Sequence, residues 1–409
     1  MKITIILFIL LLMGTHCEAS LKTLTISSEA KINNDPVFID LESETFDVHA
    51  PLCLKNEGGT FTPGQIEILD DGTQRLWWIA DLPERSTVSY DVFTDQNCNS
   101  GGGFYWNRIK DDATRLMIGD KPVIQYEHPV FDIDNNDATR KPYHHVFDPV
   151  GNGLITKGVG GTHSHHRGIF LGYYLYTGEN RIEKANNNVD RINIWAPSDG
   201  ERSEHHRIMK EFAGPVMGGH VLEILWVDQN ENTLVREIRE IRVFNQPRGE
   251  IMIDFSSQLL PTAGPVKLSG DSHHGGVHFR AAEYVAENPE STIFIRPEHW
   301  SHIPPEDENR GRTFPENLHI TPWDAMVFHI GDRMYTASQF THPDNPGKSE
   351  MGERKYGRLG YYFPYDLTED DILNLNYRFW ITVGQAPGKA DIDMKYRTFA
   401  SPPDMEIVH

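Results

Sequence analysis

Apolar and polar residues alternate with a period of two along much of this chain, and that pattern constrains its fold before any motif is considered. From Ser86 to Phe93, Val88, Tyr90 and Val92 share one face. From Gly249 to Leu259, Ile251, Ile253 and Phe255 do the same, and Phe379, Ile381 and Val383 repeat it near the C-terminus. Successive side chains of a strand point to opposite faces, so such runs bury one face of a sheet. Gly and Pro, 34 and 25 in number, are scattered throughout and supply the turns that many strands need. Leu234 to Phe244 also fits a helical spacing, but its β-branched residues favour a strand. Thr368 to Leu375 reads as one short helix, with Thr368 as cap and Asp370-Asp371 in its first turn. The expected class is all-β.

A boundary is expected at Asn99-Ser100-Gly101-Gly102-Gly103. Residues 20–102 then form a unit of immunoglobulin-like β-sandwich size, with a strand at Arg75 to Ala80 (RLWWIA) and a turn at Asp81-Leu82-Pro83. Residues 103–409 are many for a simple sandwich and suit a large two-sheet β-architecture. Residues 1–19 read as a secretory signal peptide: Lys2, an apolar run from Ile3 to Met13, then small residues before a cut near Ala19 or Ser20. Cys17 would suit a lipoprotein, but Gly14-Thr15-His16 is a poor lead-in to a lipidated cysteine. The expectation is a periplasmic or secreted protein with no membrane span.

Cys53 and Cys98 remain after that cut, and export permits a disulfide that would staple the N-terminal unit. Two unpaired thiols are the alternative. The formal net charge of -21 argues against nucleic acid as a partner. It also means that an anionic substrate needs a locally basic pocket.

Four segments carry candidate chemistry. The first is Thr162-His163-Ser164-His165-His166-Arg167-Gly168, preceded by Val159-Gly160-Gly161. On an extended chain His163 and His165 share a face and can share a divalent metal. Alternatively, one imidazole acts as general acid or base while Arg167 holds a carboxylate or a developing oxyanion. The second is Gly270 to Arg280, with His273 and His274 in a turn. If Val277 and Phe279 face the core, His278 and Arg280 face away together. The third is Lys141-Pro142-Tyr143-His144-His145, in which Tyr143 and His145 form an acid/base pair. The fourth is His342-Pro343-Asp344, followed by Arg354 and Arg358 as anion contacts. His205, His206, His299 and His302 read as surface residues. No nucleophile elbow, P-loop, dinucleotide fingerprint or HExxH motif occurs.

The segment KPYHHVFDPVGNGLITKGVGGTHSHHRGIFLGY, from Lys141, resembles the signature of a bacterial family labelled PmoA-like. Gly270 to Arg280, Thr321 to Met326 and His342 to Pro346 resemble its later blocks. The likeness spans most of the chain after Gly103. Thr162 stands where that family usually has an aspartate, and His144 replaces an aromatic. The label suggests a subunit of a membrane mono-oxygenase, which a chain with no span after its signal does not fit. The resemblance implies a galactose-mutarotase-like β-supersandwich, a fold common among carbohydrate-active proteins; fold alone does not fix function.

The leading expectation is an exported carbohydrate-active enzyme, a lyase or a glycoside hydrolase. His166, His163, Tyr143, His145 and Arg167 would be catalytic, and His278, Arg280, His342, Arg354 and Arg358 would bind substrate. β-Elimination on a uronate is favoured over hydrolysis or epimerisation, with sugar rings stacked on Trp195 or Trp300. A non-catalytic glycan-binding protein would use the same cleft. A copper-type redox protein would place one metal ion among His163, His165 and His273.

Overall fold

The computed structural model describes residues 22–41, 46–95, 98, 102–300 and 321–408. The expected signal peptide lies outside the described residues. The architecture is all-β, with large antiparallel sheets in a sandwich-like arrangement.

Two eight-stranded sheets form the body. One, the site sheet, runs in the order Glu350–Arg354, Arg358–Tyr362, Gly276–Arg280, Ile169–Gly172, Tyr143–Val146, Lys121–Glu127, Ala113–Ile118, Phe104–Lys110. The other includes Met217–Val227, Thr233–Phe244, Glu250–Pro261 and Leu373–Val383 as central neighbours. Their facing sides make one apolar core: Ile169, Leu171, Val277, Phe279, Leu359 and Tyr361 from the site sheet meet Ile241, Ile253, Phe255 and Phe379 from its partner. The alternating runs near residues 251 and 379 are therefore core-facing strands, and residues 233–244 form a strand rather than a helix. Removing this much apolar surface from water is the main driving force for the fold.

Seven strands make the N-terminal sheet, whose core includes Leu54, Trp78, Tyr90 and Val92. Strand Gln74–Leu82 is buried on both sides, which explains the unbroken apolar run in RLWWIA. Trp78 enters the N-terminal core, while Trp77 packs 5.6 Å from Phe244 of the large body. Cys53 and Cys98 are paired, with Cα atoms 5.8 Å apart. The last strand, Asp404–Val408, pairs with Lys22–Ser28. The chain thus returns to its first sheet, and the large unit does not run to the C-terminus as expected.

The helix expected over residues 368–375 is absent. The Thr368 amide donates to the Asp371 carboxylate at 2.9 Å, closing a turn. Leu373, Leu375 and Tyr377 then alternate into the core. The one long helix among the described residues, Lys389–Ala400, was not expected. Its Ile392 is buried in the cluster that joins the two units, and its Lys395 reaches the buried Asp35 carboxylate at 3.1 Å. No helix among the described residues is long and apolar enough to cross a membrane.

Candidate functional site

The outer face of the site sheet carries the candidate site. Because Val277 and Phe279 face the core, His278 and Arg280 project from the other side, as the alternation implies. Cross-strand register sets Phe170 opposite His278, and Arg280 opposite Arg358, which in turn faces Arg354. This polar face is roofed by the loops 157–168 and 270–275, and His278 and Arg280 are fully buried beneath them.

The first loop does not run extended. The His166 amide donates to the His163 carbonyl at 2.9 Å, and His163 has φ +53°. That turn brings the His165 and His166 rings to 4.0 Å, with His163 5.5 Å from His166. Two glycines make this path possible. A Cβ on Gly168 (φ +46°) would lie 2.0 Å from the His144 carbonyl, and one on Gly161 (φ +64°) would lie 2.5 Å from the Glu283 carboxyl. Glu283 fastens the loop by accepting the Thr162 amide at 2.6 Å, and it lies 3.8 Å from both Lys157 and Arg280.

His163, His165, His166, His278 and Arg280 therefore come together. His166 lies 5.5 Å from Trp195, which lies 4.7 Å from His278. Tyr356 lies parallel to His166 at 6.1 Å, 4.8 Å from His163, and beneath the Arg280 guanidinium at 5.0 Å. His166 is 2 % exposed, yet neither ring nitrogen has a hydrogen-bond partner. Arg280 spends Nη1 on the Tyr356 and Ala281 carbonyls and leaves Nε and Nη2 without hydrogen bonds. Buried polar groups are normally satisfied, so orphans that cluster in this way need an explanation.

The site is rich in cations. Arg280, Arg358, Arg354, Arg167, Lys157 and Lys141 are all buried here. Glu283 lies 3.8 Å from Lys157 and Arg280, and the half-exposed Asp137 3.6 Å from Arg167. Burial and then Arg358 hold the His166 imidazolium well below its usual range, and burial with Lys141 pushes His165 down to about 2. Burial also lowers Lys157 to about 8 and Arg280 to about 10. The imidazoles are thus neutral near pH 7, in the local basic patch that an anionic ligand of so acidic a chain requires.

Several expected roles change. Arg167 is largely committed to the main chain: its Nε donates to the Ser164 carbonyl at 2.9 Å and Nη1 to the Ala138 carbonyl at 3.2 Å, tying the loop to the chain beneath, while Nη2 has no hydrogen bond and lies 3.6 Å from Asp137. Arg354 and Arg358 clasp the His273 ring; Arg358 also holds the His273 carbonyl at 2.5 Å. Two guanidiniums on His273 oppose a metal cation there, and no three His, Cys, Asp or Glu side chains among the described residues converge as a ligand set. His342 stands apart: its ring packs 5.1 Å from Phe399 of the long helix. Trp195 is fully buried and cannot serve as an open platform for a sugar ring, and Trp300 packs against His299.

Tyr143 and His145 lie on the same outer face, 5.0 Å apart, with His145 bonded to Thr156 at 3.0 Å. His144 points the other way, into the core, where it meets His220 at 2.8 Å in a network with Tyr126, His128 and His205. His205, expected at the surface, bonds the Tyr126 hydroxyl at 3.1 Å. His206 and His299 are exposed as expected, and His302 lies outside the described residues. Sequence reasoning missed Tyr356 and Glu283 as parts of the site. Tyr356 sits in the charged stretch before Arg358, which offered a weak pointer; nothing in the sequence marks Glu283.

Fold and site together define an all-β, multi-sheet protein with a basic, histidine-lined centre on an outer sheet face. Residues 113–396 match the model of DUF6807, a family of unknown function, and the chain belongs to that family. No curated protein matches it.

Proposed function

We propose that this protein is an exported carbohydrate-active enzyme, built on a galactose-mutarotase-like supersandwich, that performs acid/base chemistry on an anionic saccharide. The observation that carries this reading is His166: a buried, neutral imidazole with both nitrogens unengaged, set between Tyr356 and Trp195 and beside Arg280. A core histidine would normally be satisfied. A general base must be unengaged and within reach of the proton it removes.

In the β-elimination that we favour, an arginine neutralises the sugar carboxylate. His166 removes the proton from the carbon beside it, and the C–H pair becomes a C=C bond. The glycosidic C–O bond then breaks, and its electrons leave on oxygen. The Tyr356 hydroxyl takes the role first considered for Tyr143 and protonates that oxygen. The ligand's charge itself strengthens the base, because a carboxylate beside Arg280 and Arg358 offsets the guanidinium charges that now depress His166. The test is a panel of neutral and acidic glycans, read for ultraviolet absorbance from new unsaturation and for new reducing ends. Unsaturated product from an acidic glycan is expected. Tight binding with no turnover of any glycan would refute the enzymatic reading.

A further inference from the structure

We propose that the Nε/Nη2 edge of Arg280 is the seat of the ligand's anionic group, a planar carboxylate borne on a sugar ring, and that the Glu283 carboxylate is an internal group which it displaces. The proposal rests on the functional reading above and sharpens it. Arg280 is fully buried, and its Nη1 is spent on main-chain carbonyls. The two nitrogens without hydrogen bonds lie on one edge of the guanidinium. That edge presents two parallel N–H groups, the fork that matches the two oxygens of a carboxylate.

A carboxylate is already drawn to this edge but held short of it. Glu283 Oε2 lies 3.8 Å from Arg280 Nη2, beyond hydrogen-bond reach, and is itself buried without a hydrogen-bond partner. The other oxygen is committed to the Thr162 amide at 2.6 Å, and Lys157 lies 3.8 Å from Oε2 on another side. Glu283 thus attracts Arg280 without satisfying it. Its side chain is 30 % exposed while that of Arg280 is 0 %, so of the two it is Glu283 that meets solvent. The same residue pins the loop that roofs His166. An incoming carboxylate that pushes Glu283 aside takes the fork, frees the Thr162 amide and uncovers the base in one movement. A neutral sugar has no charge with which to compete.

The experiment uses the full chain, titrated calorimetrically with D-glucuronate, D-glucose and inorganic sulfate. Amide hydrogen exchange at Thr162 is followed with and without saturating glucuronate. Binding of glucuronate and not of glucose is expected. Glu283→Gln keeps an acceptor for Thr162 but loses the competing charge, and should tighten glucuronate about tenfold. Arg280→Lys keeps the charge but loses the fork, and should weaken it at least about tenfold. Exchange at Thr162 should accelerate when glucuronate binds. Unchanged or weaker glucuronate affinity in a folded Glu283→Gln protein overturns the displacement. If that variant does not fold, the wild-type exchange measurement decides, and no acceleration overturns it. Sulfate binding without glucuronate binding overturns the carboxylate assignment. Glucuronate binding with these responses but no glycan turnover refutes the enzymatic reading and leaves this site standing. Turnover of neutral glycans without glucuronate binding does the reverse.

Discussion

Acidification should unfold this protein unusually early, and the structure gives the slope. His144, His166, His220 and His278 are each 2 % exposed or less. Burial, reinforced by neighbouring imidazoles and guanidiniums, holds all four below the ordinary histidine range, with His220 down to about 3. In the unfolded chain each would titrate near about 6.5. The folded state therefore binds fewer protons than the unfolded state at any pH between the two values. Stability from this source is fully present above about pH 6.5 and is lost as pH falls below it. Each such histidine contributes up to about 1.4 kcal/mol per pH unit. At about pH 5.5 the unfolded chain is largely protonated at all four, so together they give about 5 kcal/mol per unit. A net stability of about 5–15 kcal/mol is exhausted within about one to three units of that slope. His145, lowered to about 4 by burial, and His165 add to it.

The assay is the urea unfolding midpoint followed by tryptophan fluorescence at pH 7.5, 6.5 and 5.5, with the m-value checked for constancy. Stability should fall by about 1.4 kcal/mol from pH 7.5 to 6.5 and by about 4 kcal/mol from there to 5.5. His220→Gln, which keeps a polar side chain beside His144, should lower the slope by about 1.4 kcal/mol per unit. A total loss below about 1.4 kcal/mol between pH 6.5 and 5.5 would refute the argument, because it would mean that these imidazoles titrate almost as they do in water.

Four further outcomes are expected. His166→Ala should abolish turnover while the melting temperature stays nearly constant, because losing two unsatisfied buried nitrogens offsets much of the cavity left behind; lost stability with activity per folded molecule preserved would make it structural. Gly168→Ala should cost about 3 kcal/mol or more in chemical denaturation, since its Cβ would meet the His144 carbonyl at 2.0 Å and its φ is +46°. Reducing the Cys53–Cys98 bridge, which spans 45 residues of sequence, should lower stability by about 4 kcal/mol on the loop-entropy estimate, read as a drop in melting temperature with reductant. Lys395→Met removes the cation beside the buried Asp35 carboxylate and should cost about 3–5 kcal/mol, with Lys395→Arg less harmful.

What the sequence disclosed and what it hid divide along one physical line. Features governed by near neighbours were legible. Alternation alone placed Val277 and Phe279 inside and His278 and Arg280 outside, and the structure follows that division. The same rule separates His144 from Tyr143 and His145, although reading the three as one cluster concealed it; His144 belongs to the interior network with His220, and its neighbours to the outer face. The His163 loop was visible as a cluster, but its shape was not. An extended chain pairs His163 with His165, whereas the left-handed turn at His163 pairs His165 with His166. Glu283 was invisible because its partner Thr162 is 121 residues away, and a single glutamate in an acidic chain carries no local signal. Arg167 misled for the complementary reason. It sits in the motif most suggestive of catalysis, yet Ser164 and Ala138 take its Nε and Nη1 and leave only Nη2, which lies 3.6 Å from Asp137, while Arg280, in a plainer strand, keeps a whole edge. Residue type and spacing show which groups can meet a ligand. Which of them remain unspent is decided by contacts between distant segments, and at this site His166 keeps both ring nitrogens and Arg280 a whole guanidinium edge.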